Sequence, residues 1–271
     1  MTILLYCLVF VLGACWGSFL NCLIYRWEQG QKINRGRSFC PKCHHQLGFW
    51  DLVPIVSFIF LRRKCRYCRK KIAWQYLAVE IATGLLFIII FNLQFSIYNE
   101  FSIIQFSKLI YLWIVACLLE IIFIYDLKHY IIPDRAVFSA IGLVFIFRIL
   151  NLFENWNLKI ENLPAFSNAL LAGLVAASFF FIIWLASRGR AMGFGDVKLA
   201  FLLGLLLGWP LILVGLGIAF LSGALVGGGL MILGRKKMQS QAPFGPFLIG
   251  GALIALFFGE RIINWYLSLM I

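Results

Sequence analysis

Two aspartates and four cysteines in this sequence have types and spacings that can do chemistry. Asp126 ends one apolar stretch in IYDLKHYIIPD, and Asp196 precedes another in GFGD. The chain has only four aspartates, and a carboxylate beside apolar segments is costly unless it has a function or a partner. Two carboxyls within hydrogen-bond reach cannot both ionise easily, so one keeps a proton while the other acts as a base. Such a pair can deprotonate a water and polarise a peptide carbonyl, which predicts aspartyl peptide hydrolysis.

The residues around the second aspartate allow two interpretations. Gly193 and Gly195 permit a tight or left-handed turn and the close approach of an extended peptide. Lys198 follows, either to compensate the charge of Asp196 or to reach the lipid surface. In the alternative interpretation Asp196 is only a helix cap, because Asp is favoured at helix starts and Gly at helix ends. Asp126, on the same predicted side of the membrane, favours a catalytic pair.

The four cysteines form the pairs CPKC and CRYC, with 21 residues between them. Two C-x-x-C turns at this spacing are typical of a zinc ribbon, in which four thiolates surround one ion tetrahedrally. We therefore predict a structural Zn²⁺ site, and not a catalytic one, because four thiolates leave no position for a water. Two disulfides or unrelated free cysteines are the alternative. The predicted ligands are Cys40, Cys43, Cys65 and Cys68.

Composition places these groups in a membrane protein. Hydrophobic residues make up 62% of the 271, more than a water-facing surface can cover. The net charge of +13 does not indicate nucleic-acid binding, because 12 of the 24 basic residues are concentrated between Arg26 and Lys71. Such a block marks the cytoplasmic side of a membrane protein.

The apolar runs predict an all-α polytopic membrane protein with about eight transmembrane helices and a small cytoplasmic zinc-ribbon-like insert. The expected domains are a first span at 1–25, retained and not cleaved as a signal peptide, the insert at 26–73 and a membrane domain at 74–271. Basic residues in three further loops fall on the side of the insert, so the N-terminus is expected outside and both aspartates on the cytoplasmic side. Those residues are Lys128, Arg135, Arg188, Arg190, Arg235, Lys236 and Lys237. The predicted spans are 3–24, 74–93, 108–125, 136–153, 168–187, 197–208, 211–233 and 244–263.

Five segments in order resemble one family, the type IV prepilin peptidases of bacterial membranes, which are bifunctional leader peptidases and N-methyltransferases of the GxGD aspartyl protease type. GSFLNCLIYR resembles its first-span motif, and the CPKC and CRYC pairs resemble its zinc-binding insert. YDLKHYIIPD and GFGDVK resemble the segments carrying its two aspartates, and PFGPFLIGG resembles its late glycine-proline motif.

The resemblance implies roles for these residues. Asp126 and Asp196 would be the catalytic aspartates, with Gly193 and Gly195 shaping the second segment, and the four cysteines would hold Zn²⁺. The implied substrates are type IV prepilins or pseudopilins in the bacterial inner membrane, and S-adenosylmethionine is the implied methyl donor. The chain departs from the family pattern at Ala73, Gln75 and Leu77, where a serine, an arginine and a proline are usual.

Two other functions fit parts of the pattern. A multi-pass transporter could use intramembrane acidic residues to carry protons, with the zinc ribbon as a docking module. A zinc-ribbon scaffold would recruit partners and catalyse nothing.

The substrate of a peptidase of this class would bind mainly through its apolar helix in the bilayer.

Overall fold

The computed structural model describes residues 2–32, 36–97, 103–154, 163–190, 192–233 and 243–269, which are mostly helical. A short 3-10 helix, Phe49–Asp51, precedes the second α-helix. The α-helices in the described ranges are α1 (Thr2–Glu28), α2 (Val56–Phe60), α3 (Trp74–Ile97), α4 (Ile103–His129), α5 (Asp134–Glu154), α6 (Leu163–Ser187), α7 (Phe194–Leu207), α8 (Leu211–Ile232) and α9 (Gly245–Ser268).

Each of the eight predicted spans coincides with one of these helices. Six of them, α1, α3, α4, α6, α8 and α9, are long and apolar enough to cross a bilayer. The 14-residue α7 reaches only about 21 Å at 1.5 Å per residue, less than the hydrocarbon thickness. Helix α5 begins with Asp134 and Arg135 and contains Arg148. The six spans are thus supported by length and composition, whereas spanning by α5 and α7 stays a prediction.

The short α7 is enclosed by protein on nearly every side. Ten of its 14 residues are buried, including Leu199 and Leu202, which have no exposed surface. It packs on α6 so closely that a Cβ on Gly204 would lie 2.5 Å from the Cα of Gly173. A helix that is apolar all round is expected in the interior of a bundle. The length of α7 is therefore compatible with its central place among α5, α6, α8 and α9.

The chain divides into two compact units, Met1–Cys117 and Leu118–Ile271. In the first unit α3 packs along α1, where Gly13 and Gly17 allow the backbones to approach: a Cβ on Gly13 would lie 2.8 Å from the Cα of Gly84. Helix α3 is therefore in the same compact unit as the first span and the insert, and the predicted domain bounds stay a prediction. The second unit contains both aspartates of interest.

The segment 234–242, with Arg235, Lys236 and Lys237, lies outside the described ranges. The sidedness predicted from its charges therefore stays a prediction.

Candidate active site and metal centre

Asp126 lies in the last turn of α4, where the chain leaves the helix abruptly. Tyr130 has a left-handed backbone, with φ 56°, and its N–H donates to the Asp126 carbonyl at 2.9 Å. The Asp126 side chain is buried, with the residue only 4% exposed. Its Oδ2 accepts a hydrogen bond of 3.0 Å from the backbone N–H of Gly245, the first residue of α9. A residue 119 positions away in the sequence thus holds this carboxyl in place.

Asp196 lies in the first turn of α7 and is 7% exposed. It stands outside the six segments that are long and apolar enough to span a membrane. Burial and, to a smaller extent, the negative charge of Asp126 raise the pKa of Asp196 to about 7, although a hydrogen bond with the Gly193 backbone opposes the shift. The two carboxyls are therefore close enough to influence each other's ionisation, and at neutral pH Asp196 is poised between its two forms.

Asp196 also stands at a helix position that favours an acidic side chain. Gly193 is the N-cap of α7, and Asp196 lies three positions later in the first turn, where a carboxylate interacts favourably with the free backbone N–H groups. Capping and catalysis were alternatives at the level of sequence, yet this position is compatible with both.

Ile132, in the link between α4 and α5, packs against both glycine segments. A Cβ on Gly195 would lie 2.9 Å from the Cβ of Ile132, and one on Gly245 would lie 3.5 Å from its Cδ1. A Cβ on Gly245 would also lie 2.6 Å from Oδ2 of Asp126. The segments around the aspartates can pack closely because Gly195 and Gly245 have no side chain that would collide with the buried Ile132.

Of the tight or left-handed turn expected in GFGD, the structure has the tight one: the Asp196 N–H donates to the Gly193 carbonyl at 3.2 Å. Gly193 has an extended backbone, with φ −76° and ψ 150°, and Gly195 is within the helix without a positive φ. A Cβ on Gly193 would meet no other residue closer than 3.7 Å. The two glycines differ: Gly195 is needed for close packing on Ile132, whereas Gly193 is not crowded.

Lys198 forms an ion pair with Asp134, the first residue of α5. Its ammonium also lies over the rings of Phe138 and Phe194, 5.4 and 5.5 Å from their centroids. The charge that Lys198 compensates is therefore that of Asp134, and the pair joins the beginnings of α5 and α7. This contact supports the segment that carries Asp196.

The four predicted metal ligands come together in the first unit. The sulfur atoms of Cys40, Cys43, Cys65 and Cys68 all lie within 4.8 Å of one another, and none forms a disulfide. Tetrahedral Zn–S bonds of about 2.3 Å place sulfurs about 3.8 Å apart, close to the 4.0 Å between Cys40 and Cys68. The donor set and its spacing fit Zn²⁺ without rearrangement of the chain.

The two cysteine pairs lie on turns of the same backbone geometry, the first knuckle (residues 40–46) and the second knuckle (residues 65–71). In each, the first cysteine donates its N–H to the carbonyl five positions later, and its carbonyl accepts from the N–H four positions later, at 2.9 to 3.0 Å. The residue in the fifth position is left-handed in both, with φ 56° at His44 and 55° at Arg69. A β-bridge closes each turn. This repetition supports a shared metal, because both turns aim two sulfurs at one point.

His44 and His45 contact aromatic rings. The His45 ring lies on Tyr67 of the second knuckle, with centroids 3.6 Å apart, and His44 stacks on Phe39. Among the described residues the metal-competent cluster consists of the four cysteines.

Gly245 and Glu80 were not among the predicted site residues. Each forms a hydrogen bond that holds a segment of the aspartate site or of the insert in place. Gly245 holds Asp126, as described above, and the PFGP motif was its only signal in the sequence. Glu80 of α3 is buried and accepts a 2.7 Å hydrogen bond from the N–H of Ile55 in the insert. An acidic residue within an apolar span was the corresponding signal. Close by, Gln75 donates to Asn21 of α1 at 3.4 Å.

The fold and these groups define a multi-pass membrane protein with a pair of buried carboxyls and a separate four-cysteine centre. Residues 11–94 match the profile of the bacterial peptidase A24 N-terminal domain, and residues 113–228 match that of the type IV leader peptidase family. The chain therefore belongs to the type IV leader peptidase family.

Curated relatives support this assignment over nearly the whole length. The prepilin leader peptidase/N-methyltransferase of Legionella pneumophila is 30% identical across 97% of this chain and 95% of its own length. The protein of the same name from Bacillus subtilis is 28% identical across 97% of this chain and 98% of its own length. That of Myxococcus xanthus is 33% identical across 81% of this chain and 61% of its own. No solved structure matches the chain significantly.

Proposed function

We propose that this protein is a membrane aspartyl endopeptidase that removes the basic leader from type IV prepilins or pseudopilins and N-methylates the new N-terminus. The observation that carries the peptidase assignment is the pair of buried aspartates. Asp126 and Asp196 come from helices α4 and α7, and the charge of one raises the pKa of the other. The names of the relatives supply the substrate class and the methyl transfer.

The pair can hydrolyse a peptide bond with a single shared proton. The ionised carboxyl takes a proton from water, whose oxygen attacks the scissile carbonyl carbon, while the protonated carboxyl donates its proton to the carbonyl oxygen. Collapse of the tetrahedral intermediate breaks the C–N bond, and a carboxyl returns a proton to the leaving amine. The Gly245 N–H holds the Asp126 carboxyl in place, and Asp196, with a pKa of about 7, is suited to carry the proton.

The cysteine cluster would hold one Zn²⁺ as a structural ion. The first and second knuckles contribute two thiolates each, which completes a tetrahedron and leaves no position for a reacting water. Such an ion stabilises a small segment that cannot build a large apolar core.

S-adenosylmethionine is inferred as methyl donor from the relatives' name alone. The residues that the structure describes form no β-sheet, and therefore no doubly wound crevice of the kind that binds many nucleotide cofactors. No residue is assigned to it here.

The proposed location is the bacterial inner membrane, with the N-terminus outside and with the zinc insert and both aspartates on the cytoplasmic side. The positions of the basic residues support this orientation. The apolar helix of a prepilin would then approach through the lipid, and its basic leader would reach the aspartates from the cytoplasm.

The test is substitution of each aspartate by asparagine, which keeps the shape and removes the acid. Asp126→Asn and Asp196→Asn should each reduce leader cleavage by at least about a thousandfold, because neither partner can replace the other. Glu260→Gln is the matched control, since Glu260 is an exposed acid in the second half of α9, outside the aspartate site. Cleavage by either catalytic variant at the wild-type rate would refute the assignment. Substrate flux in proteoliposomes, without cleavage, would favour a transporter.

A further inference from the structure

Helix α2 presents an apolar surface where a cytoplasmic insert should be polar. Phe60 is 82% exposed, Ile59 62% and Val56 46%, whereas Phe58 on the opposite side is buried. Three large apolar side chains on one five-residue helix are more than the isolated exposed residues found on ordinary water-facing surfaces. This surface, named here the α2 face, consists of Val56, Ile59 and Phe60.

Contacts with α3 fix the position of α2 along that helix. The span of α3 is Trp74–Gln94, and Glu80 lies six residues into it, a rise of about 9 Å. Glu80 accepts the 2.7 Å hydrogen bond from Ile55, which directly precedes α2. Phe58 also packs on Trp74, with ring centroids 5.6 Å apart. Helix α2 therefore lies beside the first turns of α3, a helix long and apolar enough to cross a bilayer.

The backbone on both sides of α2 holds it in this position. Ile55 has φ 62°, which is unfavourable for a β-branched residue, and its N–H is the one bound by Glu80. After the helix, Arg62 and Arg63 are also left-handed, with φ 47° and 60°. Arg63 donates to the Ile72 carbonyl at 2.9 Å, and its guanidinium lies 4.9 Å from the centre of the Trp74 ring. The α2 face is thus fixed in orientation by the chain around it.

We propose that the α2 face is a membrane anchor that inserts into the headgroup and upper acyl region of an anionic lipid leaflet. The exposed Arg62 and Lys64 follow the face directly and suit anionic headgroups. Trp74, 61% exposed, begins α3 at the same level, as tryptophan commonly does at a membrane interface. The insert is then a module held against the lipid surface and not a freely suspended cytoplasmic loop. This inference rests on the zinc site and the cytoplasmic side proposed for the insert, and not on the peptidase activity.

Photocrosslinking from the full-length protein tests the anchor. The photoreactive residue p-benzoylphenylalanine is introduced at position 60, and in a second variant at position 59. The purified protein is placed in nanodiscs containing equal amounts of phosphatidylcholine and phosphatidylglycerol. Tyr67 is the control position, because it is an exposed aromatic residue at the tip of the second knuckle. The base of that hairpin, where Arg63 and Ile72 are hydrogen-bonded, is the end that lies next to Trp74. Bound zinc, measured in each variant, shows that the insert has folded.

Mass spectrometry after illumination should show phospholipid adducts at positions 59 and 60, several-fold more abundant than at position 67. Phosphatidylglycerol should be enriched among them relative to its share of the nanodisc. Equal lipid labelling at all three positions, or no lipid adduct in a zinc-bound variant, would overturn the proposal. Crosslinks from position 60 to a second protein chain would overturn it as well and would identify the α2 face as a protein contact.

Discussion

The cysteine cluster and the aspartate pair of this protein are assembled in opposite ways. The first and second knuckles are short hairpins of the same geometry, and each places two sulfurs through hydrogen bonds spanning no more than five residues. The aspartates come from α4 and α7 and are 70 positions apart in the sequence. Asp126 is held by Gly245, which lies 119 positions after it. One centre is defined by local backbone turns, and the other by the packing of distant helices.

This difference determines which changes each site should tolerate. The proposed zinc would hold the knuckles together, because the short segment around them has few buried apolar side chains. The aspartate site has no metal ligand set and depends on close approaches at glycine. Removal of a thiol should therefore impair the cysteine cluster, whereas addition of a single methyl group should impair the aspartate site.

The largest expected effect is loss of the metal. Purified protein should contain about one zinc per chain, and the double variant Cys40→Ser, Cys65→Ser should contain none, because each knuckle loses a thiolate. Metal analysis checks this, with Cys15→Ser as the control cysteine outside the cluster. Zinc retained by the double variant, or absent from the wild type, would contradict a four-thiolate site.

The next largest effect is expected at Gly245, where an alanine should disturb the aspartate site without a general effect on α9. Gly245→Ala should lower leader cleavage by about a hundredfold, since the new Cβ would lie 2.6 Å from Asp126 Oδ2 and displace the carboxyl. Gly250→Ala, on the same helix, meets no neighbouring atom within 4 Å and should leave cleavage unchanged. Zinc content should stay at the wild-type level in both variants. If both alanine variants cleave equally well, Gly245 does not position the catalytic carboxyl.

A smaller effect distinguishes the two glycines of GFGD. Gly195→Ala should reduce cleavage several-fold, because its Cβ would lie 2.9 Å from the Cβ of the buried Ile132 and α7 would have to shift. Gly193→Ala should be close to wild type, since its backbone is extended and the site is not crowded. Initial rates for the two variants, compared with the wild type, check the order. The reverse order would show that the motif acts through backbone flexibility.

The smallest effect is on the pH profile. Asp196 has its pKa raised to about 7, so it carries a proton below that pH and loses it above. Cleavage that uses this proton should therefore decline as the pH rises through about 7 to 8. The measurement is kcat/KM against pH in detergent, with Glu260→Gln, a change at an exposed acid of α9, expected to keep the same profile. A rate that stays constant from pH 6 to 9 would exclude Asp196 as the proton donor near neutrality.

Sequence patterns predicted the parts of this protein that depend on local composition and spacing. All eight apolar segments are helices, and the two C-x-x-C pairs meet. The roles of Gly245 and Ile132 could not be predicted, because they arise only when α9 and the α4–α5 link pack beside Asp126. Which of the two turns GFGD forms could not be predicted for a related reason: glycine serves backbone freedom or close packing, and the sequence does not distinguish the two. The burial of α7 and the exposure of the α2 face likewise depend on neighbours that are distant in sequence.

The most direct test of the central claim is mass spectrometry of a prepilin-like substrate incubated with the purified protein, with and without S-adenosylmethionine. The account predicts cleavage after the leader in both reactions, and one added methyl group on the new N-terminus when the donor is present. Cleavage without methylation would support the assignment of the aspartate pair and would indicate that the unit containing the zinc insert has only a structural role. An intact substrate, with correctly folded and zinc-loaded protein, would contradict the account.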